Sequence, residues 1–188
     1  QAQTLANWRQ NHGLNSMVVD LQDVYDEFGY GNDTAYAIRE FLSHAYYQWV
    51  KPAPSYVVLM GDGHYDPKNY LGNNRPLFIP PFLRNVDPLW LENATDNSFV
   101  LLAGDDSLPE MMIGRLSVNS VSEAQAVVSK IISYESDQNV ELWKRVVTDM
   151  ADQAGTAGNF PSLSYFLIED ELPESYHDVN RSIYYKIT

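Results

Sequence analysis

The sequence contains no cysteine. That excludes disulfides, cysteine-ligated metal and any thiol nucleophile among its 188 residues. Basic residues are scarce too: 12 Lys and Arg stand against 25 Asp and Glu, a formal net charge of −13. A nucleic-acid or anionic-membrane partner needs a basic patch, so this balance argues against both. No apolar run approaches the roughly 18 residues of a membrane-spanning helix, and no charged-then-apolar leader opens the chain. Aromatic residues, by contrast, are plentiful, with 13 Tyr, 7 Phe and 4 Trp, which excludes an intrinsically disordered polypeptide. The length suits one domain or one and a fraction. Starting at Gln1 without Met, and stopping at Ile187 and Thr188 straight after an apolar run, the chain reads as a piece of something longer.

The organising stretch is 55–69, SYVVLMGDGHYDPKN. Its continuous apolar run, closed by Gly61-Asp62-Gly63, predicts a strand buried on both faces, as in parallel sheets covered by helices. The polar groups just past its C-terminal end stand where open α/β sheets place ligand sites. Before it, 2–12 suits a short helix with Leu5 and Trp8 on one face and Gly13 at its end. Residues 16–21 (SMVVDL) read as a strand and 22–31 as an acidic, aromatic connection. Asn32 or Asp33 caps a helix in which Ile38, Phe41, Leu42, Ala45, Tyr46 and Trp49 recur at helical spacing, stopped by Pro52 and Pro54. This strand–helix–strand unit predicts parallel pairing with a right-handed crossover.

Residues 70–97 are rich in Pro, Asn and Asp and show no period, which marks a functional connection or an edge insertion. Strands are expected at 98–103 and 111–118. Ser120 and Glu123 form a capping box ahead of an amphipathic helix through Ala124, Val127, Val128, Ile131 and Ile132. A polar break at 137–141 is the candidate boundary. After it come a strand at 144–148, a loop at 149–160, a helix at 161–172 and a last strand at 182–187. The fold class is α/β, three-layer, with a mostly parallel sheet flanked by helices.

Five carboxylates, Asp62, Asp66, Asp96, Asp105 and Asp106, fall in turns between or after strands. Oxygen ligands gathered in Gly- and Asn-rich loops are what calcium requires. The D-G-x-x-D spacing at 62–66 lacks the later ligands of an EF-hand, and the competing reading is Asp residues that cap turns through their own backbone. His64, between Asp62 and Asp66, invites a general-base role. Its nucleophile would have to be Ser or Thr, yet no G-x-S-x-G elbow exists, and a turn histidine bonded to backbone is the plainer reading. His12, His44 and His177 show no metal-ligand spacing. Neither a G-x-G-x-x-G fingerprint nor a P-loop is present, so nucleotide binding is rejected. The 149–160 loop carries Asp149, Asp152 and Asn159; a carboxylate there can receive a cationic substrate side chain, or merely cap a turn.

Taken together, YDEFGYG (25–31), AIREFL (37–42), PSYVVLMGDGHYDPKNYLG (54–72), IPPF (79–82), Asp96-Asn97, GDDSLPEMMIGRLSV (104–118), KIISYE (130–135) and WKRVVTDMADQAGTAGNF (143–160) resemble the gingipain-type cysteine peptidases, a family with a caspase-like fold. Each motif alone is loose; their number and order are specific. The resemblance implies two caspase-like subdomains side by side, the first non-catalytic and the second carrying a His, in a Gly-His-Gly segment, and a later Cys. Neither dyad member is present here. Residues 1–138 then correspond to the first subdomain and 143–188 to the truncated beginning of the second. The resemblance further implies a cysteine-type endopeptidase as the parent protein, acting on protein or peptide substrates through the missing catalytic half. It implies a secreted or cell-surface location, calcium in the catalytic domain, and Asp152 as the acidic residue that holds a basic substrate side chain. The alternative is a catalytically inactive, peptidase-like binding or structural module, stabilised by calcium at Asp62, Asp66, Asp96, Asp105 and Asp106.

Overall fold

The computed structural model describes residues 1–87, 91–139, 141, 144, 146–156, 158–173 and 181–185, the last five and 86, 87 and 91 by backbone alone. The chain forms two compact units, Gln1–Ser136 and Asp137–Thr188.

In the first unit the apolar run at 56–60 becomes β1 (Tyr56–Met60), which pairs in parallel with the later strand Met112–Leu116. Between them lie β2 (Leu83–Asp87) and β3 (Leu91–Ala94), an antiparallel pair whose register slips between Asn85 and Asp87. Met112–Leu116 is therefore β4. Helices α1 (Ala2–Asn11), α2 (Leu21–Phe28), α3 (Ala35–Gln48) and α4 (Val121–Ser136) complete the unit. The core gathers Val24 and Tyr25 of α2, Ile38 and Leu42 of α3, Leu59 of β1, and Phe82, Phe99, Val100 and Met111 from the connections. Burial pushes the Tyr25 phenol up to about 12, helped by the negative charge of Asp33 and opposed by Arg115, so the core carries no charge there at neutral pH.

The α/β class agrees with the sequence, but the parallel pairing expected between 16–21 and 55–60 does not form: β1 pairs in parallel with β4 instead, and with Tyr56 and Val58 exposed it is not buried on both faces. Residues 16–20 form no strand, and the supposed connection at 22–31 is largely helix α2. Asp20 is its cap, accepting the Gln22 N–H at 2.9 Å, and Leu21, Val24, Tyr25 and Phe28 fall on one helical stripe. The cap of α3 is Thr34, whose Oγ1 accepts the Ala37 N–H, rather than Asn32 or Asp33. Within 70–97 the period is missing because the hairpin strands, LRNVD and LENA, are mostly polar. The apolar run at 98–103 is no strand: Asp96–Phe99 is a 3₁₀ turn that drops Phe99 and Val100, both 0% exposed, into the core. A short apolar run by itself does not separate a strand from a buried turn.

The capping box of α4 forms as expected: Ser120 Oγ accepts the Glu123 N–H, and Glu123 reaches back to the Asn119 N–H. At its other end Glu135 takes two hydrogen bonds from Arg9 and one from Trp8 Nε1, tying α4 to α1. The Arg9 guanidinium holds the Glu135 carboxyl below its ordinary 4.5. A depressed carboxylate contributes stability that is present above its unfolded value and lost as pH falls through the folded one. Glu135→Gln is therefore expected to be destabilising at neutral pH, with the gap to wild type closing as pH drops below 4.5. Urea unfolding at pH 7 and pH 3.5 checks this, and a gap that persists in acid contradicts it.

The second unit contains β5 (Thr148–Asp152), α5 (Phe160–Phe166), a π-helical turn Leu167–Glu171 that continues α5, and β6 (Arg181–Tyr185), parallel to β5. The strand expected at 144–148 thus lies four residues later, which makes Asp152 the last residue of β5 instead of a loop residue. Residue 145 of the strand expected at 144–148 and residues 186–187 of the one expected at 182–187 lie outside the described residues. Among the described residues no helix is long and apolar enough to cross a membrane.

Candidate functional site

In the first unit, the β1–β4 ladder runs on past Met60, because the Gly61 N–H donates to Leu116 O and the Asp62 N–H to Val118 O, both at 3.0 Å. The chain then turns under the 78–81 segment. A Cβ on Gly61 would come within 2.7 Å of Phe78 Cβ, and one on Gly63 would collide with Ile79 O, so this close approach of backbones requires glycine at both positions. The turn opens onto a crevice of about 470 Å³ bordered by Asp62, His64, Glu92, Asp96, Arg115 and Ser117.

At its base Arg115 acts as a clamp. Its Nε and Nη2 donate to the two oxygens of Asp96 at 2.8 and 2.7 Å, while Nη1 donates to both Gly61 O and Ile79 O at 3.0 Å. One guanidinium thus joins the end of β1, the 79 segment and the turn carrying Asp96, a fork geometry that lysine cannot reproduce.

The five acidic turn residues are dispersed. Asp66 is buried and accepts the Tyr70 and Leu71 N–H groups, one on each oxygen, at 2.8 Å. Asp96 is paired with Arg115, Asp62 accepts from Asn119 Nδ2 at 3.1 Å, and exposed Asp106 caps its own turn through the Leu108 N–H. Asp105 is exposed in the same turn. Among the described residues no three His, Cys, Asp or Glu side chains gather as a metal ion would need. As placed, the acidic turns do not fit calcium, because Asp66 and Asp96 direct both oxygens to protein donors. Asp66→Ala is expected to cost about 2–3 kcal/mol by orphaning two N–H groups, with faster proteolysis of 66–75. A loss below about 0.5 kcal/mol in urea unfolding, as for a neutral surface change, contradicts the anchor.

His64 has no free ring nitrogen. Nδ1 accepts the Asp66 N–H at 3.2 Å and Nε2 faces Arg75 O at 3.1 Å, a network that assigns the proton to Nε2. It is the backbone-bonded turn histidine, and a general base would have to break this loop to act.

In the second unit a pocket of about 360 Å³ lies between β5 and α5, lined by Asp149, Met150, Asp152, Phe160, Leu163 and Leu167, with Ser164 at its wall. Asn159 Oδ1 caps α5 through the Ser162 N–H, and Pro161 occupies its first turn, where a missing N–H costs nothing. Buried Ser164 donates its hydroxyl to Asp149 Oδ2. Asp152 is exposed, and Oδ1 accepts the N–H of its neighbour Gln153 at 2.7 Å. Apolar walls with a carboxylate at the rim suit an aliphatic stem ending in a cation.

Two residues of these sites escaped the sequence reading. Arg115 had a signal, since an arginine inside the apolar strand MMIGRLSV demands a carboxylate partner. Ser164 had none, one serine among several in a short helix.

The profile of peptidase family C25 matches residues 1–187. No relative is found among curated protein sequences. Among solved structures the chain is similar to dimeric latent PorU from Porphyromonas gingivalis, at 25% identity and a TM-score of 0.59, over 83% of this chain and 18% of that one. It is also similar in fold to the complex of Porphyromonas gingivalis RgpB pro- and mature domains, at 18% identity and a TM-score of 0.64, over 100% of this chain and 39% of that one. The chain therefore spans well under half of either neighbour's length.

Proposed function

The chain belongs to peptidase family C25, and from that premise we propose that it is the supporting, non-catalytic part of a cysteine endopeptidase, with residues 143–188 opening the half that carries the dyad. The observation that carries this reading is the family match along 1–187 in a sequence with no cysteine. The chemistry of the parent protein is thiolate attack on a peptide carbonyl, with a histidine shuttling the proton to the leaving amine. Residues 1–138 carry no part of that chemistry and have the supporting role. Asp152, beside the apolar wall of Phe160 and Leu163, receives a basic side chain of a protein substrate. An exported or cell-surface location belongs to the same proposal, and cell fractionation tests it.

Incubated with casein and with arginyl and lysyl coumarin amides, the 1–188 chain alone is expected to release nothing. The full product of its gene is expected to cleave them and to lose activity with iodoacetamide. Hydrolysis by the chain alone, or its labelling by a serine-directed phosphonate, overturns the proposal in favour of a Ser/His hydrolase. A full product that is inert to all of these leaves a peptidase-like scaffold instead.

A further inference from the structure

Helix α5 is unusual in what it buries. It has seven residues, and its one buried residue is Ser164. Its apolar side chains are largely outside: Leu163 is 56% exposed and Tyr165 64%. Ile168, one turn on and buried, shares the Ser164 face. A helix this short is marginal by itself, and so little buried apolar surface does not fix its register against β5. The hydroxyl of Ser164, donated to Asp149, supplies a directional, charge-assisted contact from the middle of the helix to the strand. Asp149 is half-buried and held by that donor, whereas exposed Asp152 at the strand end, among the described residues, bonds the N–H next to it. The two carboxylates of one pocket are thereby separated in role, one turned to the scaffold and one left for a ligand.

We infer that Ser164 and Asp149 form a positioning pair that fixes α5 on β5 and so sets the pocket in which Asp152 meets a cation. The inference rests on the proposed reading of Asp152 as the receiver of a basic side chain.

The test is an NMR titration of the 1–188 chain with benzamidine, a flat aromatic cation, and with benzyl alcohol, its uncharged counterpart. Benzamidine is expected to shift Asp152, Phe160 and Leu163, and Asp152→Asn is expected to erase the preference for the cation. Ser164→Ala is expected to weaken benzamidine about fivefold or more while benzyl alcohol changes less than about twofold. Ser164→Thr, which keeps the hydroxyl, restores binding. Asp149→Asn keeps an acceptor without the charge and is expected to stay within about twofold of wild type. Wild-type benzamidine affinity in Ser164→Ala, or an equal loss for both probes, overturns the inference alone. So does a loss in Asp149→Asn as deep as in Asp152→Asn, which makes Asp149 a direct contact of the cation. No binding by wild type, or no effect of Asp152→Asn, removes the reading of Asp152 and the inference with it.

Discussion

Arg115→Met is expected to remove about 2–4 kcal/mol of folding stability, somewhat below the cost of breaking a fully buried ion pair from one side because this one is partly buried. The Arg115 side chain is 11% exposed and Asp96 27%. Methionine fills most of the volume but donates nothing, so the Asp96 carboxylate loses both donors and the Gly61 and Ile79 carbonyls lose theirs. Three segments far apart in sequence are released together: the end of β1, the 79 segment and the turn at Asp96. Adding Asp96→Leu to Arg115→Met is expected to recover part of the loss, since it removes the stranded charge while leaving the two carbonyls unpaired. Arg115→Lys is expected to fall between, because an ammonium cannot serve both carboxylate oxygens and both carbonyls at these distances. Urea unfolding followed by circular dichroism reads all three. A loss under about 1 kcal/mol for Arg115→Met puts the pair in the surface class and contradicts the clamp.

Phe99→Ala is expected to cost about 3–5 kcal/mol, the range for a large aromatic truncated in a packed core. The Phe99 ring is fully buried and meets Phe82 edge-on, with centroids 4.9 Å apart. Phe82 in turn stacks edge-on with Tyr36 of α3 at 5.0 Å. An aromatic pair of this geometry adds about 0.5–1.5 kcal/mol beyond its buried area. The ring is carried by a 3₁₀ turn packed against α3 and β4, so the neighbours close a cavity poorly when it is gone. Phe99→Leu retains most of the volume and is expected to cost less than half as much. Equal losses for the two substitutions in the same unfolding assay contradict a packing origin.

Both residues show where sequence reading reaches and where it stops. The β1 strand with its Gly61-Asp62-Gly63 turn, the helical period of α3 and the Ser120–Glu123 capping box were legible because each signal is local and contiguous. The Arg115–Asp96 clamp joins positions 19 residues apart through tertiary structure: the arginine in an apolar strand is a local signal, but nothing local says which carboxylate it meets. Met17, Val18 and Val19 have strand propensity yet form no strand among the described residues, while the cap that starts α2 is the single side chain of Asp20. The hairpin β2–β3 was hidden because its strands are polar. Five aspartates in turns looked like a cation site from spacing, but a buried aspartate in a turn finds backbone donors first, as Asp66 does with Tyr70 and Leu71. The family resemblance was carried by motif order along the whole chain, which single-site spacing could not supply.

As the proposed supporting part of a cysteine endopeptidase, this chain serves a dyad that it does not itself contain. Reading the coding sequence through the Thr188 codon and onward tests that role most directly. An open frame that encodes a Gly-His-Gly segment and, beyond it, a cysteine is the predicted result. A stop codon at that point, or a continued frame with no such His and Cys, would contradict it.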